Sequence, residues 1–276
     1  SFYSWVPMVQ AQQFRTNGNT NLRTSLNGVY VGQRNNLISS NATAAFLGGG
    51  RSNTISGQGS FSFIGGGFGN FDAGMLPGTG DKWSVIAGGF ENVIEEGARW
   101  AVIGGGYRNL AGSNALAGFI GGGQFNEIAA PGATVPGGFA NQASGTNSFA
   151  AGSQAVASNT GTFVWADSST NTDFVSSAAN QFLIRADGGV GINTNDPGAN
   201  ALAVKGDVLI DGRLISGSGN TASGTASVVA GGTNNTASGF ASAIAGGQNG
   251  VAQASYSFIG AGFQNRAGNA GSVIVG

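Results

Sequence analysis

The string Gly-Gly-x-x-Asn occurs seven times in this chain, beginning at Gly49, Gly66, Gly88, Gly105, Gly122, Gly137 and Gly231. Each copy follows a short apolar run, and the closing asparagines are almost evenly spaced. Asn53 and Asn70 are 17 residues apart, Asn92, Asn109 and Asn126 keep that interval, and Asn126 to Asn141 is 15. Farther on, Asn220, Asn235, Gly250 and Asn265 also step by 15. So short a unit cannot hold two helices and their turns, so the period describes one coil of a β-solenoid.

The apolar run carries the next inference. It reads Ser62-Phe63-Ile64-Gly65, Ser84-Val85-Ile86-Ala87, Ala101-Val102-Ile103-Gly104 and Gly118-Phe119-Ile120-Gly121, then Ser227-Val228-Val229-Ala230, Ser242-Ala243-Ile244-Ala245 and Ser257-Phe258-Ile259-Gly260. Neighbouring residues on a strand face opposite ways, so the Phe/Val column and the Ile column lie on opposite faces, and both are apolar. That pattern belongs to a strand buried on both sides. A thin coil has one inside only, so the second row is expected to meet other copies of the chain, closed by three-fold symmetry.

The other half of the coil reads Thr54-Ile55-Ser56-Gly57, Leu110-Ala111-Gly112 or Thr221-Ala222-Ser223-Gly224, which places one inward side chain per coil. Glycine and asparagine tolerate left-handed backbone and are expected at the tight corners. Nothing in the chain has helical periodicity.

Composition narrows the chemistry. Glycine supplies 52 of 276 residues, charged residues are 8 %, the formal net charge is −1, and cysteine and histidine are both absent. Cys/His zinc sites, histidine-based nucleophilic triads and disulfides are therefore excluded. Single, scattered basic residues offer no footprint for nucleic acid. No apolar run is long enough to span a membrane, and no signal-peptide pattern opens the chain. The last residues stop within a repeat, and the expectation is a fragment of a longer protein.

Four regions follow: an N-terminal cap or connector over 1–28, a first repeat block over 29–160, an interrupting β-rich module over 161–215, and a second repeat block over 216–276. The first region holds Phe2, Tyr3, Trp5 and Phe14 outside the repeat, suited to covering the open end of the first coil. The third carries four strand-like stretches, Thr162–Trp165, Gln181–Arg185, Gly189–Ile192 and Ala201–Val204, separated by turn residues.

The unit Asn-x-Ala-x-Gly-x-x-Ser-x-x-x-Gly, as in Asn220 to Gly231 and Asn235 to Gly246, resembles the head repeats of trimeric autotransporter adhesins. The stretches Phe163-Val164-Trp165-Ala166-Asp167, Asn180 to Ala186 and Gly188 to Pro197 are similar to a linker module of bacterial and phage fibres, many of which end in an endosialidase-type chaperone. The resemblance implies an all-β homotrimer of left-handed parallel β-rolls interrupted by a small β-rich linker. It also implies an extracellular structural or adhesive fibre that attaches to a host, prey or other cell surface. The same features fit a phage or contractile-injection tail fibre that recognises a receptor. Sequence beyond either end would separate the two, through a membrane anchor or a baseplate-attachment domain.

No cofactor, metal site or catalytic residue is expected. The glycine strings lack the helix that a phosphate loop needs, and calcium-binding solenoids need a nine-residue period with aspartates. A glycan-cleaving fibre needs two carboxylates on one substrate; Glu95 and Glu96 are neighbours and on a strand would point apart, which leaves open a pair assembled across chains. An ice-binding face needs a threonine ladder, which Ala252 breaks after Thr221 and Thr236. The partners expected are a homotrimer and a cell-surface glycan or protein receptor, with no nucleic acid and no direct membrane insertion.

The excursion between Asn70 and Asn92 is five residues longer than the 17-residue coil. Such an insertion emerges on the surface, so Phe71, Asp72, Asp81, Lys82 and Trp83 are candidate ligand contacts. Trp100, close to Glu95, Glu96 and Arg99, is another. The plain alternative is a loop that covers a neighbouring subunit. Trp165 is expected to pack the linker module.

Overall fold

The structure is a computed structural model. It describes the backbone of 14–16, 20–25 and 28–32, and residues 35–276 except 40, 41, 43, 58–60, 75–81, 200 and 207–213. All regular structure among the described residues is strand, and parallel strands wind into a β-solenoid of about 14 turns. The chain divides into two compact units, 1–190 with 198–201, and 191–197 with 202–276.

Two sheets run along the first unit. One takes a strand from each coil: Ala45–Leu47, Phe63–Ile64, Val85–Ile86, Val102–Ile103, Phe119–Ile120, Thr134–Val135, Phe149–Ser153, Phe163–Ala166 and Phe182–Arg185. The other runs from Leu37–Ile38 through Thr54–Ile55, Phe71–Asp72, Val93–Ile94, Leu110–Ala111, Glu127–Ile128 and Gln142–Ala143 to Ala155–Ala157 and Phe174–Val175. A third column of single bridges links Arg51, Phe68, Phe90, Tyr107, Gln124 and Phe139. Pairing is parallel and in strict register, so Val85, Val102 and Phe119 stand side by side. Backbone amides reach the next coil, as Val85 N–H does to Ala101 O at 3.0 Å and Val93 N–H to Asn109 O at 2.9 Å.

The register sorts the side chains as alternation requires. Ile64, Ile86, Ile103 and Ile120 point inward and are fully buried, facing Ile55, Ile94, Ala111 and Ile128, also fully buried. Each buried isoleucine stabilises the fold by roughly 1.5–3 kcal/mol. The column one residue earlier points out: Phe46, Phe63 and Phe119 remain 39 %, 37 % and 42 % exposed on the single chain.

The motif asparagines have a different task from the one their conformational tolerance implied. They are not the left-handed residues; the position just before them is, at Ser52, Gly69, Glu91, Arg108, Phe125 and Ala140. The asparagine side chains are buried and form a ladder. Asn109 Oδ1 accepts the backbone N–H of Asn126 at 3.0 Å and its side-chain amide at 3.1 Å. Asn109 Nδ2 donates to Gly105 O in its own coil at 2.9 Å and to Gly123 O in the next at 3.0 Å. The same set recurs at Asn53, Asn70, Asn92 and Asn126. Thus the first glycine of the motif supplies a carbonyl to the asparagine four residues on. The second is required by shape: Gly106 has φ +92°, and a Cβ there would lie 2.2 Å from Gly123 O.

Both sheets of the first unit run past residue 160. Phe163–Ala166 pairs with Phe149–Ser153, Phe182–Arg185 pairs with Phe163–Ala166, and Phe174–Val175 pairs with Ala155–Ala157. The Gly-Gly-x-x-Asn string has gone by then, but Phe149, Phe163 and Phe182 keep the outward column, stacked at 4.6 Å between successive rings. Val190–Ile192 and Leu202–Val204 then form a separate two-stranded sheet. At the other end, Phe14–Thr16, Thr20–Ser25 and Gly28–Gly32 run antiparallel and continue the first sheet beyond Ala45–Leu47. Gly28–Gly32, at the start of the expected repeat block, covers the edge of Ala45–Leu47, and the two strands from 1–28 extend the sheet beyond it; Phe2, Tyr3 and Trp5 lie outside the described residues.

The second unit repeats the plan with 15-residue coils. Val229, Ile244 and Ile259 face Ala222, Ala237, Ala252 and Ala267 inside. Its ladder has a gap at Gly250, whose N–H reaches Asn235 Oδ1 at 2.8 Å but which has no amide to pass on. Replacing Gly250 with asparagine is expected to stabilise this unit by about 1 kcal/mol, by restoring side-chain bonds and removing unfolded-state freedom. The added Cβ would stand 3.0 Å from Asn235 Oδ1, a contact relieved by a small shift. A rise in the denaturation midpoint checks it; an unchanged or lower midpoint contradicts it.

Candidate functional site

The residues expected to form one surface loop separate into three environments. Asp81 and the loop 75–81 lie outside the described residues. Asp72 and Lys82 are inside the solenoid with no exposed surface, so neither side chain is available to a ligand at the surface. This corrects the sequence expectation, and the reason is register. Asp72 stands two residues after Asn70, as Ile55 does after Asn53 and Ile94 after Asn92, and it pairs with both in the second sheet. It therefore occupies the inward column. That counting rule was available in the sequence, but the polar character of the insertion obscured it.

A buried carboxylate needs a counter-charge and hydrogen bonds. Lys82 reaches in and contacts Asp72 Oδ1 and the Ala73 carbonyl, with Ile94 O at 3.5 Å. Ser84 Oγ donates to Asp72 Oδ2, and Ser62 Oγ lies 3.2 Å from Ser84 Oγ. Burial pushes the Lys82 ammonium below its usual range, while Asp72 pulls it the other way. The cluster ties Asp72 and Lys82, at the two edges of the insertion, to Ser62, Ser84 and Ile94.

The aromatic candidates are outside. Trp83 and Trp100 are 49 % and 50 % exposed. They occupy equivalent corners of successive coils, both left-handed at φ +54° and +57°, and Trp100 N–H donates to Lys82 O at 2.8 Å. Phe61 sits at the corner before them and stacks on Trp83 with ring centres 4.0 Å apart. The Arg99 guanidinium lies 5.5 Å from the Trp100 ring centre. Arg99 also lines a shallow cleft of about 500 Å³ with Gly97, Ser113, Asn114, Leu116 and Pro131. Phe71 is 37 % exposed but belongs to the outward row of the second sheet, with Thr54 and Val93, not to this corner. Trp165 is 37 % exposed in the outward part of its strand.

Sequence reasoning missed a further aromatic row. Phe68 stacks on Phe90 at 4.9 Å, Phe90 neighbours Tyr107 at 5.3 Å, and Phe125 makes edge contacts with Tyr107 and Phe139 at 5.2 and 5.8 Å. Arg108 lies 5.0 Å from the Tyr107 ring centre and pairs with Glu91 at 2.6 Å. The signal was present in the two variable positions of the motif, where Phe68, Phe90, Tyr107, Phe125 and Phe139 recur at coil spacing.

Glu95 and Glu96 are exposed at a turn, and Glu95 Oε2 accepts the Ser113 N–H at 3.0 Å. Among the described residues there is no group of three His, Cys, Asp or Glu arranged to hold a metal, and no helix long and apolar enough to cross a membrane. No protein-family model matches the chain, and no curated protein matches it in sequence.

Proposed function

We propose that this chain is a segment of an extracellular trimeric attachment fibre, with three copies meeting along the outward Phe/Val column of the first sheet. The observation that carries the reading is that column: Phe46, Phe63, Val85, Val102 and Phe119 form a continuous apolar row on the outside of one chain. A contiguous apolar surface of this kind marks an interaction face. Glycine and alanine beside the rings allow close approach, and identical coils offer the same face to each copy. The solenoid between the ends is a rigid support. Trp83, Trp100 and Arg99 form the surface that fits a glycan or protein receptor, presented three times per fibre.

Analytical ultracentrifugation tests the assembly. The wild-type chain is expected to sediment as a trimer, and Phe119→Asp as a folded monomer, because Phe119 is already 42 % exposed within one chain. Loss of trivalency is expected to weaken attachment to a receptor-coated surface or to whole cells by about 10²–10⁴-fold. A wild-type monomer, or a monomeric variant that attaches equally well, overturns the reading.

A further inference from the structure

Asp72 and Lys82 hold an electrophile and a nucleophile together inside the first unit. Both side chains are fully buried, the Lys82 nitrogen touches the Asp72 carboxyl, and Ile55 and Ile94 flank the aspartate in its column, fully buried as well. An interior lined by hydrocarbon penalises separated charges. Transfer of one proton from ammonium to carboxylate gives a neutral amine against a neutral acid, the reactive form of the pair. Holding two such groups in contact is worth an effective concentration of about 10⁵–10⁸ M when their geometry is productive.

We infer that Lys82 and Asp72 condense to an amide cross-link within this chain. The Lys82 nitrogen adds to the Asp72 side-chain carbonyl carbon and a C–N bond forms. Negative charge develops on Oδ2, where the Ser84 hydroxyl already donates a hydrogen bond, itself backed by Ser62. The C–O bond to Oδ1 then breaks; that oxygen, carrying the acid proton, takes one amine proton and leaves as water. The reaction balances with no oxidant, reductant or activating group. Its product closes 73–81 into a ring anchored in the core, and a pulling force along the chain bypasses that segment. The proposal is independent of the oligomeric state and of any receptor.

The sequence contains a direct test. It has two methionines, Met8 and Met75, and Met75 lies between the two reacting residues. Cyanogen bromide cleavage of the purified, denatured chain is expected to leave 9–75 and 76–276 joined, and the uncut protein to weigh one water less than its sequence. Lys82→Arg is expected to release the two fragments separately at full mass, and Ser84→Ala to slow cross-linking by about 10²-fold. Should Lys82→Arg fail to fold, the paired change Asp72→Ile with Lys82→Met serves as the uncross-linked control, because isoleucine is what the neighbouring coils hold at Ile55 and Ile94 and methionine keeps the lysine stem without its amine. Separate wild-type fragments and an unreduced mass, after prolonged incubation of the folded chain, overturn the proposal.

Discussion

An Asn109→Leu chain is expected to lose on the order of 5 kcal/mol of stability in the first unit, although leucine has nearly the same size and suits a buried position. The substitution orphans the N–H of Asn126 and the carbonyl of Gly105, and it strips one bond each from the Asn126 side-chain amide, the Gly123 carbonyl and Asn92 Oδ1, which keep others. Each buried orphan costs about 1–3 kcal/mol, since water cannot replace the missing bond. The position lies in the middle of the ladder, between Asn92 and Asn126, so the damage reaches both adjoining coils. Urea denaturation followed by circular dichroism reads the change. A loss below about 1 kcal/mol would mean that the ladder contributes no more than an ordinary exposed hydrogen bond.

Lys82→Met is the second large effect. It keeps the aliphatic stem but leaves the Asp72 carboxylate buried, held by the Ser84 hydroxyl without a counter-charge. Removing one member of a buried pair typically costs about 3–5 kcal/mol, because the other charge stays desolvated. Adding Asp72→Ile is expected to recover most of that loss, since isoleucine is what the same column holds at Ile55 and Ile94. The single and double variants compared by thermal denaturation give the answer. If the double variant is no better than Lys82→Met, the cost arises from what both variants lack, the tie between the two edges of the insertion, and not from the stranded carboxylate.

How much of this was legible depends on which rule each residue obeys. The solenoid, its parallel strands and its inward isoleucines follow from spacing and alternation, and Ile86, Ile103 and Ile120 lie where that pattern puts them. The role of Asn109 was not legible, because a preference for turns describes the isolated residue, while four of its five side-chain bonds reach the coils above and below. Asp72 was misplaced for a related reason: insertion and charge both argue for the surface, and only its distance from Asn70 argues for the core. At Trp83 and Trp100 the left-handed backbone has no sequence signal, since a side chain that size costs about 1–2 kcal/mol there. Coil-to-coil bonding imposes that conformation against local preference. Conversely, the expected break at residue 160 followed the loss of the glycine motif, whereas the strands follow the phenylalanine column through Phe163 and Phe182.

The asparagine ladder also bears on how such a chain evolves. Every amide hands its bonds on in the same direction to an identical acceptor, so any two full coils are compatible neighbours. Excising 93–109 would bring Leu110 behind Asn92, with the next ladder residue still 17 positions away. Replication slippage can therefore lengthen or shorten the molecule by whole turns, in steps of roughly 4.8 Å, without inventing a new joint. The number of coils becomes a heritable quantity with discrete marks, adjustable without redesigning any one coil.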